Sequence, residues 1–310
     1  MSAARLVSPQ WLQEHLDAPD LRVLDCTTYM TPQPVGASII TSGRPHWLAA
    51  RIPGAVHVCM VDDLSDPQGR FPYTLPGASA LRHRLARLGI GPDQHLVLYG
   101  ASHPMVVSRA WWVLTALGWS RVSVLDGGWA AWEAEGRPID RSPVTQDTAL
   151  PGNARSPTAS SRMAPIQDQT SHDGQALQAA ARCVDADDVA RAIQDGSAWL
   201  INALSLEQFT GSGGSHYGRP GRIPGSLSLP ARDLVSADTA CWLDPDRIRQ
   251  RAAEAGLHDD GRPVIVYCGG GIAATATAFA LERAGWTDVK VYDNSLLEWS
   301  ADPDRPMLTG

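Results

Sequence analysis

The feature that most constrains the fold is an internal repeat, because the second half of the chain follows the first half segment by segment. Asp126 and Asp293 close matching segments 167 positions apart, and Tyr99 and Tyr267 are 168 positions apart. So regular a spacing indicates two copies of one structural unit rather than a single large domain. The matching segments are 51–56 with 222–227, 81–90 with 248–257, 96–100 with 264–268, and 117–126 with 284–293.

Each copy alternates short apolar runs with segments of helical periodicity, such as the strand-like run 21–26 after a helix that Ser8 could cap. This alternation predicts an α/β fold in which each copy forms a mostly parallel sheet with helices on both faces. A chain of 310 residues with 44% hydrophobic residues can bury a core in each copy. We therefore predict two domains, at 1–141 and 181–310.

The stretch 142–180 between the two copies has a different composition. It is rich in Ser, Thr, Pro, Asp and Gln and has no hydrophobic periodicity. Such a composition predicts a linker that runs over the surface.

Cys268 lies at a predicted strand-to-helix turn, between the apolar run 264–267 and an alanine-rich helical segment. Backbone N–H groups of such a turn favour negative charge on the sulfur, and glycine lets several of them point inward. Cys268 is therefore the candidate nucleophile. The alternative, a small buried apolar cysteine, fits poorly with three glycines in the turn. The predicted anion-binding loop is Gly269, Gly270, Gly271, Ile272, Ala273 and Ala274.

The other four cysteines, Cys26, Cys59, Cys183 and Cys241, are interpreted as structural. The five cysteines are scattered, and none forms a C-x-x-C pair or lies at metal-ligand spacing from a histidine. We therefore predict neither a disulfide framework nor a metal site.

The first copy has Gly100 where the second has Cys268, and Pro104 removes a backbone donor from its loop. We predict that the first copy is catalytically inactive. Ser102 and His103 could be read as a nucleophile and a base, but no third group accompanies them, so a surface loop is the simpler interpretation.

The net charge of −7 argues against nucleic acid or an anionic membrane as the main partner. No stretch reaches membrane-spanning length, and residues 1–7 lack the apolar region of a secretory signal. The sequence therefore predicts a cytoplasmic protein.

The chain resembles the tandem-domain rhodaneses, the thiosulfate and 3-mercaptopyruvate sulfurtransferases. The resemblance rests on the doubled Ile-Pro-Gly, the Cys268 loop, and segments 108–114, 125–132 and 298–306. It implies two rhodanese-like domains and a Cys268 persulfide that passes sulfur from a small-molecule donor to cyanide or a thiol. It also implies no cofactor, and a thioredoxin-like reductant is a further candidate partner.

Three departures from the family pattern concern the substrate. Gly270 and Ala273 stand where mercaptopyruvate enzymes typically have Ser and Thr, and Leu204 stands where an arginine often holds the substrate anion. Arg219 and Arg222 are the predicted substitutes for that arginine. The alternative is that both are solvated loop residues.

Two further residues are candidates on the resemblance. Asp62 aligns with an aspartate that some mercaptopyruvate enzymes pair with a histidine, but Tyr73 stands where that histidine is expected. A capping or loop role for Asp62 is the alternative. Trp299 could form a wall of the substrate pocket, although its match to Trp132 in the first copy favours a core position.

Two other functions are alternatives to sulfur transfer. Rhodanese-like phosphatases and arsenate reductases need a longer loop that ends in arginine, and position 274 is alanine. A persulfide or anion sensor, or a sulfur-relay protein, would take up sulfur once without turnover. Measurement of turnover separates the sensor from the enzyme.

Overall fold

The computed structural model describes residues 5–144 and 181–310. The elements of the first half are β1 Arg5–Val7, α1 Pro9–His15, β2 Leu21–Asp25, β3 Thr28–Thr31, β4 Ile39–Ser42, α2 Arg44–Ala49, β5 Val56–His57, α3 Ala78–Arg87, β6 His95–Tyr99, α4 Pro104–Ala116, β7 Val122–Leu125 and α5 Gly128–Ala134. Those of the second half are β8 Cys183–Val184, α6 Ala186–Asp195, β9 Trp199–Asn202, α7 Leu206–Thr210, β10 Leu227–Ser228, a 3-10 helix Ala231–Leu234, α8 Pro245–Glu254, β11 Val264–Tyr267, α9 Ile272–Ala284, β12 Val289–Tyr292 and α10 Ser295–Trp299.

Each half contains its own five-stranded parallel sheet, and the two sheets have the same topology. The strand order is β1-β7-β6-β2-β5 in the first half and β10-β9-β11-β12-β8 in the second, which is the same order read from the other edge. The central strands are buried along nearly their whole length because helices cover the sheet. The predicted fold, two α/β units with mostly parallel sheets, is confirmed.

The doubled Ile-Pro-Gly has a structural reason. In each half, the tyrosine that ends the central strand accepts a hydrogen bond from the isoleucine N–H of that motif. Tyr99 accepts from Ile52 at 3.3 Å, and Tyr267 accepts from Ile223 at 3.0 Å. The motif is thereby held at the carboxyl end of the sheet, where the loops of a parallel α/β fold form binding sites.

The halves pack against each other through α4 and α9, which are buried along most of their length. Trp111 of α4 meets Phe279 of α9 edge to face, with ring centroids 4.9 Å apart. An aromatic pair of this geometry adds to the stabilisation from apolar burial. A single hydrophobic cluster therefore continues from one half into the other.

One element of the first half was not predicted. β3 and β4 form an antiparallel hairpin outside the main sheet, with Thr28 paired to Ser42 and Thr31 to Ile39. The second half has no strand pair in the corresponding place among its described residues. The hairpin breaks the symmetry of the repeat on the side that faces Cys268.

The predicted linker 142–180 lies outside the described residues except for 142–144, so its course and the domain boundaries stay predictions. Within 5–144 and 181–310, none of the helices combines the length and the apolar character needed to cross a membrane.

Candidate active site

Cys268 follows β11 directly and is 2% exposed. Its Sγ accepts a hydrogen bond from the backbone N–H of Gly271 at 3.1 Å, so the turn bends back toward the sulfur. Its own N–H donates to Ser295 Oγ at 3.0 Å, and the Ser295 hydroxyl donates to the Tyr292 carbonyl. Ser295 therefore fixes the start of the loop, a role that the sequence analysis did not identify.

The carbonyls of the loop are bound on the opposite side. The Cys268 carbonyl accepts from Leu296 N–H at 3.2 Å, and the Gly269 carbonyl accepts from Leu297 N–H at 2.9 Å. Both donors belong to the first turn of α10. Because α10 satisfies these carbonyls, their negative dipole ends are held away from a charge on the sulfur.

Two of the loop glycines are required because a side chain in their place would collide with neighbouring atoms. Gly271 has φ +83°, and a Cβ there would lie 2.4 Å from the Asp293 carbonyl oxygen. At Gly269 a Cβ would fall inside the ring of Tyr217. Burial, followed by the effect of negative charge at Cys268, raises the pKa of Tyr217 to about 12, so its phenol stays neutral near the sulfur.

Gly271→Ala should weaken the loop more than Gly270→Ala. A side chain at Gly271 meets fixed backbone at positive φ, which costs about 1–3 kcal/mol. At Gly270 the one close contact of an added Cβ is the end of the flexible Leu297 side chain, at 2.8 Å, and the Tyr73 ring lies at an ordinary 4.0 Å. The free energy of unfolding measured in urea and the rate of Cys268 alkylation by iodoacetamide should both fall further in Gly271→Ala than in Gly270→Ala. Equal losses in the two variants would contradict this account of the loop.

A buried arginine from the first half also contacts the loop. Arg109 of α4 is 0% exposed, and its guanidinium donates to the Asp293 carboxylate and to the Tyr73 carbonyl. It also donates to the Gly271 carbonyl at 3.4 Å. The Asp293 carboxylate accepts in addition from the Leu75 N–H at 2.8 Å. The half without the thiol thus takes part in holding the loop.

Cys268 opens on a cavity of about 520 Å³ between the two halves. Of the predicted loop residues, Gly270, Ile272 and Ala273 line it, whereas Gly269, Gly271 and Ala274 do not. The first half contributes Thr28, Tyr29, Met30, Pro32, Ala37, Ser38, Tyr73, Ser102, His103, Met105 and Val106, and the second adds Ala203, Leu204, Ser205, Gln208, Tyr217, Ala231 and Arg232.

The structure places Arg219 and Arg222 away from this cavity. The Arg219 guanidinium donates to backbone carbonyls of the C-terminal segment, including that of Asp302 at 2.7 Å. Arg222 lies over the Phe209 ring at 4.5 Å and donates to the Gly310 carbonyl at 2.6 Å. Both arginines hold the C-terminal segment, and neither lines the cavity.

The arginine that does line the cavity is Arg232, in the 3-10 helix Ala231–Leu234. Leu204, at the position where the family often has arginine, also lines it and carries no charge. Sequence spacing gave no link between Arg232 and Cys268. The only available signal was its place shortly after the second Ile-Pro-Gly, a motif tied to the same end of the sheet.

The other two candidates also lie outside the lining. Asp62 is exposed, in a turn after β5. Trp299 is 1% exposed, and its indole N–H donates to the Pro306 carbonyl at 2.9 Å. Trp132 makes the same bond to Pro138 at 2.8 Å, so the matched tryptophans have the same core position.

The first-half loop faces the same cavity. His103 caps α4 by accepting from the Met105 N–H at 3.3 Å, and Ser102 lies beside it. Burial, followed by the charge of Arg232, lowers the pKa of His103. This histidine is therefore a neutral part of the lining at neutral pH.

The remaining cysteines differ from Cys268 in their surroundings. Burial, followed by the neighbouring Asp25 carboxylate, raises the pKa of the Cys26 thiol well above its usual value, and burial raises the pKa of Cys59. Burial also raises the pKa of Cys183 to about 12. None of these thiols lines the cavity.

Within the described ranges, no group of three or more His, Cys, Asp or Glu side chains is arranged to hold a metal ion.

Comparison with known proteins places this site in a family. The family model of the rhodanese-like domain matches residues 8–135 and 185–302. A putative thiosulfate sulfurtransferase, SseB of Mycobacterium tuberculosis, is 32% identical over 270 residues, covering 86% of this chain and 86% of the relative. A probable 3-mercaptopyruvate sulfurtransferase of Pseudomonas aeruginosa is 31% identical over 322 residues, covering 100% of both chains.

The crystal structure of SseA from Escherichia coli, described as a 3-mercaptopyruvate sulfotransferase with the rhodanese fold, superposes with a TM-score of 0.73. It is 26% identical in sequence, and the match covers 94% of this chain and 98% of SseA. Two matched domains, full-length relatives above 30% identity and a shared fold agree with the resemblance found in the sequence. The protein therefore belongs to the rhodanese-like family, as a sulfurtransferase with two tandem domains.

Proposed function

We propose that this sulfurtransferase carries a sulfane sulfur as a persulfide on Cys268 and delivers it to a thiophilic acceptor. The main support is the hydrogen bond from the Gly271 N–H to Cys268 Sγ, in a thiol that lines a cavity large enough for a substrate. Backbone N–H groups aimed at a sulfur stabilise its anionic form, both before and after it takes up a second sulfur.

The donor is thiosulfate or 3-mercaptopyruvate, the compounds in the names of the relatives. The Cys268 thiolate attacks the outer sulfur of thiosulfate, a new S–S bond forms, and sulfite leaves with the electron pair of the old bond. With mercaptopyruvate the C–S bond breaks instead and pyruvate leaves as its enolate. In either case Cys268 becomes Cys–S–S⁻.

In the second half-reaction the acceptor attacks the outer sulfur of the persulfide. Cyanide leaves as thiocyanate, a small thiol leaves as a persulfide, and the Cys268 thiolate is restored. Because donor and acceptor use the same sulfur in turn, we expect ping-pong kinetics. A thioredoxin-like protein is a further proposed acceptor. One of its thiols takes the outer sulfur as a persulfide and restores the Cys268 thiolate, and its second thiol then closes a disulfide and releases the sulfur as hydrosulfide.

We also propose a cytoplasmic location. All five cysteines are unpaired, as is usual for proteins of a reducing compartment. The net charge of −7 gives no reason to expect an anionic membrane surface as partner.

Mass spectrometry tests the proposal directly. After incubation with thiosulfate or mercaptopyruvate, the peptide that contains Cys268 should gain the mass of one sulfur atom, and cyanide should remove it as thiocyanate. The peptide that contains Cys59 is the internal control, because burial keeps that thiol protonated. A label on Cys59 and none on Cys268 would overturn the proposal. Uptake without repeated release would favour the sensor or sulfur-relay function instead.

A further inference from the structure

We propose that the first half has a ligand site of its own, a second cavity that binds an organic cation: an amidinium or guanidinium group on an apolar body. Binding there is non-covalent and plays no part in the sulfur transfer at Cys268. Three observations support this assignment. They are a large cavity, an excess of carboxylates in its lining, and an arginine that the second half receives and the first half lacks at the equivalent place.

The second cavity has a volume of about 790 Å³ and lies beside the first-half loop that matches the Cys268 loop. The first half contributes that loop, the end of β7 and α5, and the second half contributes the 3-10 helix and the segment after it. Pockets of roughly 300–1,000 Å³ enclose whole drug-sized molecules. Gly100 lines this cavity and none of the five thiols does, so the cavity is suited to binding and not to sulfur chemistry.

The two halves build the surroundings of their loops in the same way. In the second half the Asp293 carboxylate accepts from the Leu75 N–H at 2.8 Å, and in the first half the Asp126 carboxylate accepts from the Trp242 N–H at 2.9 Å. The two aspartates are 167 positions apart, and so are the two N–H donors. The two places are therefore structurally equivalent.

The equivalent places differ in one cation. In the second half the Arg109 guanidinium donates to the Tyr73 carbonyl and the Asp293 carboxylate. The residue 167 positions after Arg109 is Ala276, whose methyl group cannot donate a hydrogen bond. The counterpart of Tyr73 is Ala240, which has a similar positive φ, 56° against 65°, and lines the second cavity. Among the described residues, nothing donates to the Ala240 carbonyl.

The two aspartates have different partners as a result. Asp293 forms an ion pair with Arg109. Asp126 stands between two residues of the cavity lining and forms no ion pair with a described residue. The Arg283 guanidinium is near enough to interact with the charge of Asp126, but it donates to the Leu243 carbonyl. A bound cation would supply in the first half the charge that an arginine supplies in the second.

The lining itself carries more negative than positive charge. Glu133 and Asp233 are exposed, and neither forms an ion pair with another described residue. Arg232 is the one arginine or lysine among the described lining residues. Trp129 and Trp242 contribute aromatic surface to the wall. Carboxylates and aromatic faces both attract an organic cation.

A flat cation with delocalised charge fits these features best. An amidinium or guanidinium donates several hydrogen bonds from one plane and is more weakly hydrated than an ammonium, so it is less costly to desolvate. Its apolar body would replace water against the tryptophan wall. Benzamidine is the simplest probe of this class, and benzamide is a neutral molecule of nearly the same shape.

Titration calorimetry on the full-length protein gives the first test. Cys268 is first alkylated with iodoacetamide, which occupies the neighbouring cavity and removes sulfur transfer. Benzamidine should bind at least about fivefold more tightly than benzamide, and its affinity should fall with rising salt. Equal affinity for the two compounds would overturn the proposal. So would binding of benzamidine to the unmodified protein alone, because the ligand would then occupy the Cys268 cavity.

Variants in the exposed part of the lining give the second test. Glu133→Gln/Asp233→Asn should weaken benzamidine binding several-fold, and Asp238→Asn, an exposed change outside the lining, should leave it unchanged. Ala237→Arg adds a tethered guanidinium at an exposed lining position and should weaken binding further. Urea midpoints should agree among these variants, since all the changes are exposed. Wild-type affinity in both Ala237→Arg and the double variant would show that the second cavity is not the site.

Discussion

Cys268→Ser should reduce turnover with every sulfur donor by on the order of 10⁴-fold or more, because it removes the atom that we propose bonds to the transferred sulfur. A hydroxyl at this position is too weakly acidic and too poor a nucleophile toward sulfur to replace the thiolate. The change is nearly isosteric, so the hydrogen bond from the Gly271 N–H and the fold should persist. The measurement is thiocyanate formation with each donor, together with an unfolding curve.

Cys241→Ser is the matched control, since Cys241 is half-buried but does not line the cavity. It should retain wild-type turnover. Comparable activity in Cys268→Ser and the wild type would remove the basis of the proposed mechanism, whichever donor is used.

Arg109→Met should have the largest effect on stability. It removes the guanidinium from a buried pair and leaves the Asp293 carboxylate, 7% exposed as a residue, without its cation. Breaking a buried pair in this way costs about 3–5 kcal/mol, mainly because the remaining charge is unpaired. The Gly271 carbonyl also loses a donor, so slower alkylation of Cys268 should accompany the loss of stability. Urea unfolding measures the loss of stability, and the rate of Cys268 alkylation by iodoacetamide measures the effect on the loop.

The double variant Arg109→Met/Asp293→Asn should recover part of the lost stability, because it removes the orphaned charge. Arg121→Ala is the surface control, since Arg121 and Asp20 form an ion pair in which both side chains are about half exposed. The urea midpoint of Arg121→Ala should change far less than that of Arg109→Met. An equal shift for Arg121→Ala and Arg109→Met would show that burial of the Arg109 pair does not determine its contribution.

The repeat predicted most of the fold because the offset of 167 fixes which strands correspond. The parallel sheets and the position of Cys268 after β11 followed from local patterns: a β-branched run, glycines, then helical periodicity. Each of these patterns lies within one helix or strand and the residues next to it. They were sufficient to place the thiol and its loop at the carboxyl end of a strand.

The rest of the site is assembled by tertiary contacts that leave no local pattern. Arg109 reaches Gly271 from 162 positions away, and Arg232 lines the cavity from a short 3-10 helix. The sequence predicts Arg219 and Arg222 as ligands of the substrate anion because they stand near the second Ile-Pro-Gly. Their guanidinium groups instead satisfy backbone carbonyls near the chain end, which proximity in sequence could not reveal.

The β3–β4 hairpin has a consequence for how this protein can diversify. It belongs to the half that lacks Cys268, yet Tyr29 and Met30 line the same cavity as the Cys268 sulfur. Substitutions in the hairpin can therefore alter which molecules reach the sulfur while the other half keeps its reaction chemistry. The two copies therefore share the cavity wall, but only one of them carries the nucleophile.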